Sequence, residues 1–308
     1  MIIYNSKDWL LALAHFHTSF TIRQLLRRMA LVGLYGTLIT VVELHFFDSK
    51  FSIDGTFFSL LGILLSLLLV FRTNTAYDRF YEGRTQWGQL VNHSRNLAVM
   101  LDALIPNDDV ANRRFFARTI ANFALALKGN LRTGIDFAEL EETDDGKPDE
   151  LRQYKHVPSR ISALLLRRIQ EMHRLKLISD PDLINLKPHH QALLDVTGAC
   201  ERIRKTPIPF SYSFFIKLFI TVYLLVFPFV IIEAYQYLTI PATVLAAYAL
   251  MGVQMIADEI EEPFGLDCND LPLSQITRNI RLNVHEIRGV EPAPTTQVAA
   301  EVEYMKVH

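Results

Sequence analysis

Three apolar residues at a fixed spacing offer the clearest chemistry in this sequence. The stretch Phe57–Phe71, FFSLLGILLSLLLVF, holds no charge, and within it Ile63, Leu67 and Phe71 recur every fourth residue. On a helix this spacing places the three side chains in one slowly drifting stripe. A narrow ring of such side chains cannot coordinate an ion, but it can lose its water and so close a path to ions. The stripe indicates a hydrophobic constriction in a pore, and a buried or lipid-facing helix is the alternative.

Two small residues flank the stripe. Gly62 and Ser66 lie one position before its first two members. Small residues let helix backbones approach closely, which suits several copies of this helix packed around an axis.

An acidic run follows the last apolar stretch and invites a calcium interpretation, because calcium takes several oxygen ligands. Its members are Asp258, Glu259, Glu261, Glu262, Asp267 and Asp270. Helix caps and ion pairs are the alternative, and we expect that alternative.

The histidines and glycines form no catalytic or metal motif. His189 and His190 are adjacent, so on a helix they point in different directions, and no HxxxH pair is present. Hydrolase elbows, P-loops and dinucleotide-binding glycine patterns are also absent. We therefore expect no metal, no other cofactor and no enzymatic activity.

Composition indicates a membrane protein with a substantial water-exposed part. Of 308 residues, 50% are hydrophobic and 21% are charged, and the mean hydropathy is +0.17. This is too apolar for an ordinary soluble enzyme and too charged to lie wholly within a bilayer. The net charge of -2 gives no reason to expect nucleic acid as a partner. The two cysteines, Cys200 and Cys268, have no CxxC partner, so a disulfide framework is not indicated.

The order of apolar and polar stretches predicts an all-α membrane protein with four transmembrane helices. The predicted parts are an amphipathic N-terminal segment over 1–29, transmembrane helices 1 and 2 over 30–71 with a neck helix at 56–71, a cytosolic helical domain over 72–213, transmembrane helices 3 and 4 over 214–257, a cytosolic acidic loop and helix over 258–290, and a tail over 291–308. Pro228 should kink or break the third span. The fourth span should follow a short turn at Thr239–Pro241.

The positions of the basic residues predict the orientation. Those beside the spans on one side are Arg23, Arg27, Arg28, Arg72, Arg79, Arg84, Arg202, Arg204 and Lys205. The two connections on the other side hold only Lys50. By the positive-inside rule, both termini and the long middle section are cytoplasmic.

Polar residues crowd the end of the second span, and two interpretations are open. They are Arg72, Asn74, Tyr77, Asp78, Arg79, Glu82 and Arg84. They would form either an electrostatic vestibule or the hydrogen bonds and ion pairs that fix helix positions between subunits. We favour the second, because Arg79 can pair with Asp78 and Glu82 at helical spacing. Tyr81 and Trp87 are expected to be packing residues.

Four stretches in this order resemble the bacterial branch of the bestrophin family. They are FRTNTAYDRFYEGRTQWG at 71–88, GACER at 198–202, TPIPF at 206–210, and EEPFG with NDLPL at 261–265 and 269–273. The match in order and spacing covers roughly residues 1 to 285. Each motif alone is weak evidence for the family, but four motifs in the correct order relative to the four predicted spans make the resemblance specific.

The resemblance implies a homopentamer in a lipid bilayer, the bacterial inner membrane, with one ion pathway along the five-fold axis. Monovalent ions would pass passively, with cation selectivity as in characterised bacterial bestrophins; a chloride channel is the alternative. A transporter is a less favoured alternative, because it would show inverted repeats and more membrane spans. A membrane-embedded enzyme is also less favoured, because it would need clustered catalytic groups within the membrane spans.

The resemblance also assigns residues. The family's neck falls on Ile63, Leu67 and Phe71, and a cytosolic constriction falls on Pro181, with Ile178 or Leu183 as alternatives. Eukaryotic relatives bind calcium in an acidic loop, where Asp267 and Asp270 match ligand positions. Leu266, Cys268 and Asn269 interrupt that loop here, which argues against a calcium site.

Overall fold

A computed structural model describes residues 2–3, 20–47, 55–143, 147–267, 269–291 and 305–306. The predictions made for most of the N-terminal segment, for Lys50, for Cys268 and for most of the C-terminal tail fall outside these residues. The helices are α1 (Phe20–Val42, continued by a π-helical turn at Glu43–Phe47), α2 (Gly55–Leu104), α3 (Val110–Leu131), α4 (Pro148–Leu151), α5 (Val157–Arg174), α6 (Asp180–Lys205), α7 (Phe210–Tyr235), α8 (Thr239–Ile260) and α9 (Leu273–Arg288). Two 3-10 turns lie at Phe137–Glu139 and Gln236–Leu238, and a short parallel pair joins β1 (Ile2–Ile3) to β2 (Met305–Lys306).

Helix α2 is longer than the sequence pattern predicted. The neck helix was predicted over 56–71, with the cytosolic helical domain beginning at 72, but a single 50-residue helix runs across this boundary. At 1.5 Å per residue it is about 75 Å long. The polar stretch after Phe71, residues 72–86, contains no proline, and its buried Gly83 lies against Pro263 and Phe264. Nothing in the stretch interrupts the helix.

Apolar helices form one half of the molecule. Among the described residues, three helical stretches are long and apolar enough to cross a membrane: Arg23–Phe46, Gly55–Leu104 and Phe210–Ile260. The last of these contains α7 and α8. They pack on α2 through a small buried cluster of Leu65, Leu69, Ile216, Ile220, Leu224 and Ala247. Many other apolar side chains of these helices are exposed on the surface of the single chain.

The second half is a helical body with an extensive core. The C-terminal part of α2 packs with α3, α5, α6 and α9 around fully buried residues such as Trp87, Phe116 and Leu127. Cys200 is buried in this core as a free thiol. The expectation for Trp87 as a packing residue is confirmed.

Local signals set most helix ends. Asp109 caps α3, where its carboxylate accepts a hydrogen bond from the backbone N–H of Asn112 at 3.1 Å. Pro207 and Pro209 separate α6 from α7, as their missing N–H groups require. Two expectations differ from the structure. Of the kink or break expected at Pro228, the break does not occur, because helix α7 continues through this residue. The turn before α8 lies at Gln236–Leu238, because Pro241 occupies the first turn of α8, where no helical N–H is needed.

Candidate ion pathway

Helix α2 has two opposite faces along nearly its whole length. The buried face consists of Phe58, Leu65, Leu69, Arg72, Ala76, Gly83, Trp87, Leu90, Ser94, Leu97, Ala98 and Leu101. The residues opposite, at about 100° of rotation per residue, are all exposed. We name them the outer stripe: Ile63, Leu67, Phe71, Asn74, Asp78, Tyr81, Thr85, Gln89, Asn92 and Asn96. The buried face holds α2 against its own subunit and leaves the outer stripe free.

The three predicted neck residues begin this outer stripe. Ile63, Leu67 and Phe71 are 67%, 50% and 54% exposed in the single chain. They contribute nothing to the core of the chain, and their apolar surface is open in the single chain.

Gly62, which was expected to suit close packing between copies, makes a close contact within the chain. A Cβ at this position would lie 2.7 Å from the phenol oxygen of Tyr223 on α7. The ring of Tyr223 stacks on Phe58, with centroids 4.2 Å apart. The absence of a side chain at Gly62 therefore lets α7 approach α2 beside the neck residues.

The buried guanidinium of Arg72 anchors α2 directly after the neck. Its Nη2 lies 2.5 Å from Oε2 of Glu261 and 3.0 Å from Oδ1 of Asp258, both at the end of α8. Glu261 also accepts a hydrogen bond from the backbone N–H of Ile208, in the proline-containing connection before α7. Lys217 on α7 completes the group at 2.9 Å from Asp258. Three apolar helices thus meet in one ionic cluster.

Two further charged residues of α2, Arg79 and Glu82, also bind within the chain. Arg79 donates to the backbone carbonyls of Ile203, Thr206 and Glu261. Glu82 pairs with Arg202 on α6 at 2.7 Å. The expected pairing of Arg79 with Asp78 and Glu82 along the helix is therefore wrong.

Tyr81 does not pack into the body as expected. It is 62% exposed and stacks on Tyr77, which is 58% exposed, with ring centroids 6.4 Å apart. Both rings lie on the open side of α2.

The candidates for the cytosolic constriction separate by exposure. Pro181 is exposed in the first turn of α6, which Ser179 caps in a reciprocal capping box with Asp182. Ile178 is 4% exposed and belongs to the subunit's core, and Leu183 packs against that core. Because Ile178 is packed in the core, it has no exposed surface that could line a pore.

The acidic residues after α8 serve mostly as ion-pair and hydrogen-bond partners. Asp270 is buried and its Oδ2 accepts from the backbone N–H of Asp267 at 2.7 Å, whereas the side chain of Asp267 is exposed. Burial raises the pKa of the Asp270 carboxyl to about 7. The described residues contain no group of three or more His, Cys, Asp or Glu side chains that could hold a metal ion.

The histidines form contacts that sequence spacing could not reveal. His93 on α2 and His189 on α6 bring their Nδ1 atoms within 3.0 Å. His190 points instead to α5, where its Nε2 lies 2.9 Å from the hydroxyl of Ser162. The expectation that the adjacent histidines diverge agrees with this geometry. Burial lowers the pKa of His189, and the charge of His93 lowers it further.

A buried carboxylate in the body was missed from the sequence. Glu141 lies 2.6 Å from Nε of Arg281 and 3.1 Å from Nε2 of His285, both on α9, and 3.5 Å from Arg118 on α3. Burial raises the pKa of the Glu141 carboxyl, but the hydrogen bonds and charges of His285 and Arg281 outweigh burial and hold this pKa below its ordinary value. This cluster joins α9 to α3.

Comparison with known proteins gives a consistent family. The model of the Bacterial/Fungal Bestrophin protein family matches residues 1–286. A voltage-dependent anion channel-forming protein from Nostoc sp. is 32% identical over 86% of this chain and 87% of its own length. A protein of the same description from Synechocystis sp. is 34% identical over 79% of this chain and 80% of its own length.

Solved structures of similar proteins agree with this family match. The crystal structure of a bacterial bestrophin homologue from Klebsiella pneumoniae superposes with a TM-score of 0.81 at 27% identity, covering 87% of this chain and 99% of that chain. A family match over nearly the whole chain, together with this fold, excludes an enzyme. The chain belongs to the bacterial and fungal bestrophins, a family of channel-forming membrane proteins.

Proposed function

We propose that five copies of this chain surround one axis and that their α2 helices line the ion pathway. The observation that carries the proposal is the outer stripe of α2, which lies opposite the buried face and begins with three exposed apolar residues. Bestrophin resemblance supports five as the copy number. Ions would move passively down their gradient.

The neck acts as a hydrophobic gate. Ile63, Leu67 and Phe71 stand about 6 Å apart along the helix axis, so five copies make three successive apolar rings. A narrow tube of this kind excludes water, and a dry tube presents a large desolvation barrier to any ion. When the tube widens enough to stay wet, it passes ions with little discrimination.

A second constriction lies at the cytoplasmic mouth. Pro181 is the candidate, because it is exposed at the start of α6 whereas Ile178 and Leu183 are held in or against the core. Leu177, 50% exposed in the turn before α6, can add to it.

The proposed topology has four spans: α1, the first part of α2, α7 and α8. The body formed by the rest of α2 with α3, α5, α6 and α9 is cytoplasmic, together with the acidic loop, and both termini lie on the same side of the bacterial inner membrane. Basic residues beside the spans support this orientation.

The charge of the permeant ion has two candidates. We propose anions first, because the curated relatives are named anion channel-forming proteins. Cations are the second candidate, and the position of Asp78 on the outer stripe favours them.

Two measurements test the proposal. The mass of the detergent-solubilised assembly should correspond to five chains. The reconstituted protein should carry current across a planar bilayer, and its reversal potential under asymmetric salt, with and without calcium, gives the charge of the permeant ion. A monomer or dimer that carries no current would refute a pentameric pore.

A further inference from the structure

The outer stripe of α2 changes chemistry at one point along its length. From Ile63 to Phe71 it is apolar, and from Asn74 to Asn96 it carries amides, hydroxyls and one carboxylate. All ten members stay within about 40° of a common direction at 100° per residue. If Ile63, Leu67 and Phe71 face the axis, the polar members that follow them face it too.

Asp78 is the one charged residue on this stripe. The other polar members are Asn74, Tyr81, Thr85, Gln89, Asn92 and Asn96. A helix face exposed to bulk water usually carries several charged side chains, and this one carries a single carboxylate. Asp78 is exposed, and no ion pair to it is found among the described residues.

Neighbouring charges on α2 are directed elsewhere. Arg72 and Arg79 point into the subunit, where carboxylates and backbone carbonyls bind them. Glu82 lies about 60° from the stripe's mean direction and pairs with Arg202. Arg84 and Arg95 are exposed, but they lie about 100° and 80° from the same direction. No basic side chain of α2 therefore shares the outer stripe with Asp78.

We propose that Asp78 is a determinant of the pore's charge preference, acting as a ring of five carboxylates about 10 Å below Phe71. This inference rests on the proposed function, because the ring exists only if α2 lines a shared axis. The ring raises the local concentration of cations and lowers that of anions where ions enter or leave the neck. If the channel prefers anions, the carboxylate ring weakens the anion preference. If the channel prefers cations, the carboxylate ring is a source of the cation preference.

The test compares wild type with Asp78→Asn, which keeps the side chain's shape and removes its charge. Asp149→Asn is the matched control, because Asp149 is 88% exposed on α4 and pairs only with the exposed Arg152 among the described residues. Each protein is checked for the mass of its assembly, reconstituted in a planar bilayer and measured under a gradient of potassium chloride. Asp78→Asn should raise the chloride-to-potassium permeability ratio by about twofold or more, since a change of even one kT in potential alters local ion concentration by that order. Asp149→Asn should leave the ratio unchanged.

Salt dependence separates an electrostatic role from a structural one. The difference between wild type and Asp78→Asn should be largest near 0.05 M salt and small near 1 M, where the Debye length is only about 3 Å. If Asp78→Asn does not assemble, the permeability ratio of wild type alone should move toward anions between these two salt concentrations. A conducting Asp78→Asn channel with an unchanged ratio, or a wild-type ratio independent of salt, would overturn the proposal. Absence of any wild-type current would instead overturn the proposed function.

Discussion

Arg72 and Glu261, 189 positions apart in the sequence, meet at 2.5 Å immediately after the neck. Arg72 is 1% exposed and Glu261 is 12% exposed, so the pair is shielded from water. Phe71 precedes Arg72 by one residue, or about 100° around the helix. Apolar contacts alone let helices rotate or slide past one another, whereas this pair fixes the rotation of α2 at the base of the neck.

We predict that breaking this pair on one side destabilises the protein strongly. Arg72→Met leaves Glu261 and Asp258 without their guanidinium, and Glu261→Gln removes one carboxylate from a buried cation. Removing one partner of a buried ion pair typically costs about 3–5 kcal/mol. Thermal unfolding of the purified single variants and of the double variant tests this. If the two single losses simply add in the double variant, the residues are not coupled.

Removing neck side chains should increase conductance. Ile63→Ala and Leu67→Ala widen the tube, keep it wet and lower the desolvation barrier, while charge selectivity changes little because no charged or polar group is altered. Single-channel recording measures both quantities. Leu38→Ala is the control, because Leu38 is an exposed apolar residue of α1 with 61% of its surface free. Unchanged currents in both neck variants, with assembly intact, would remove these residues from the gate.

Acid should weaken the contact between α2 and α6 through the histidine pair. The pKa of His189 is depressed below its ordinary value of 6.5, so the folded state favours the neutral ring. The stability from this effect is present above about pH 6.5 and is lost as the pH falls below that value. The melting temperature of wild type should therefore drop more between pH 7.5 and 5.5 than that of His189→Asn. Parallel pH profiles of the two proteins would contradict this role.

Neutralising Glu141 should destabilise the cytoplasmic body. Glu141→Gln leaves Arg281 and His285 facing an amide in a buried site, with an expected loss of about 3–5 kcal/mol. Because the pKa of Glu141 is lowered in the folded state, wild type should also lose this stabilisation as the pH falls through the carboxyl range. The adjacent Glu142 is exposed, and Glu142→Gln is the matched control in thermal unfolding. Equal melting temperatures for the two variants would show that the buried cluster contributes nothing particular.

Local signals predicted much of the fold. Apolar runs predicted the long apolar helices. The recurrence of Ile63, Leu67 and Phe71 at every fourth position predicted that they share one face of a helix, and this face is exposed in the single chain. The sequence pattern does not predict the continuity of α2, because the change from apolar to polar residues at Arg72 has the composition of a helix boundary. A helix that passes from an apolar to an aqueous environment changes its residue composition there, but its backbone can continue as the same helix.

Long-range contacts could not be predicted from the sequence. Arg79 had acidic neighbours at helical spacing, yet it binds carbonyls more than 120 positions away. His93 and His189 are separated by 96 positions, so a search for spaced histidines within one helix does not find them. Pairings of this kind depend on which helices pack together, and that information becomes available only with the tertiary structure.

The unbroken length of α2 has a mechanical consequence for the proposed pore. The proposed pore wall and the helical body share α2, a single helix of about 75 Å, and no break in this helix separates Ile63 from Trp87. A rotation of α2 at Trp87 in the body would be passed along the continuous helix to the apolar rings, and a change in ring diameter would in turn shift the body. Opening of the proposed pore is then a movement of whole subunits, in which the five α2 helices rotate together.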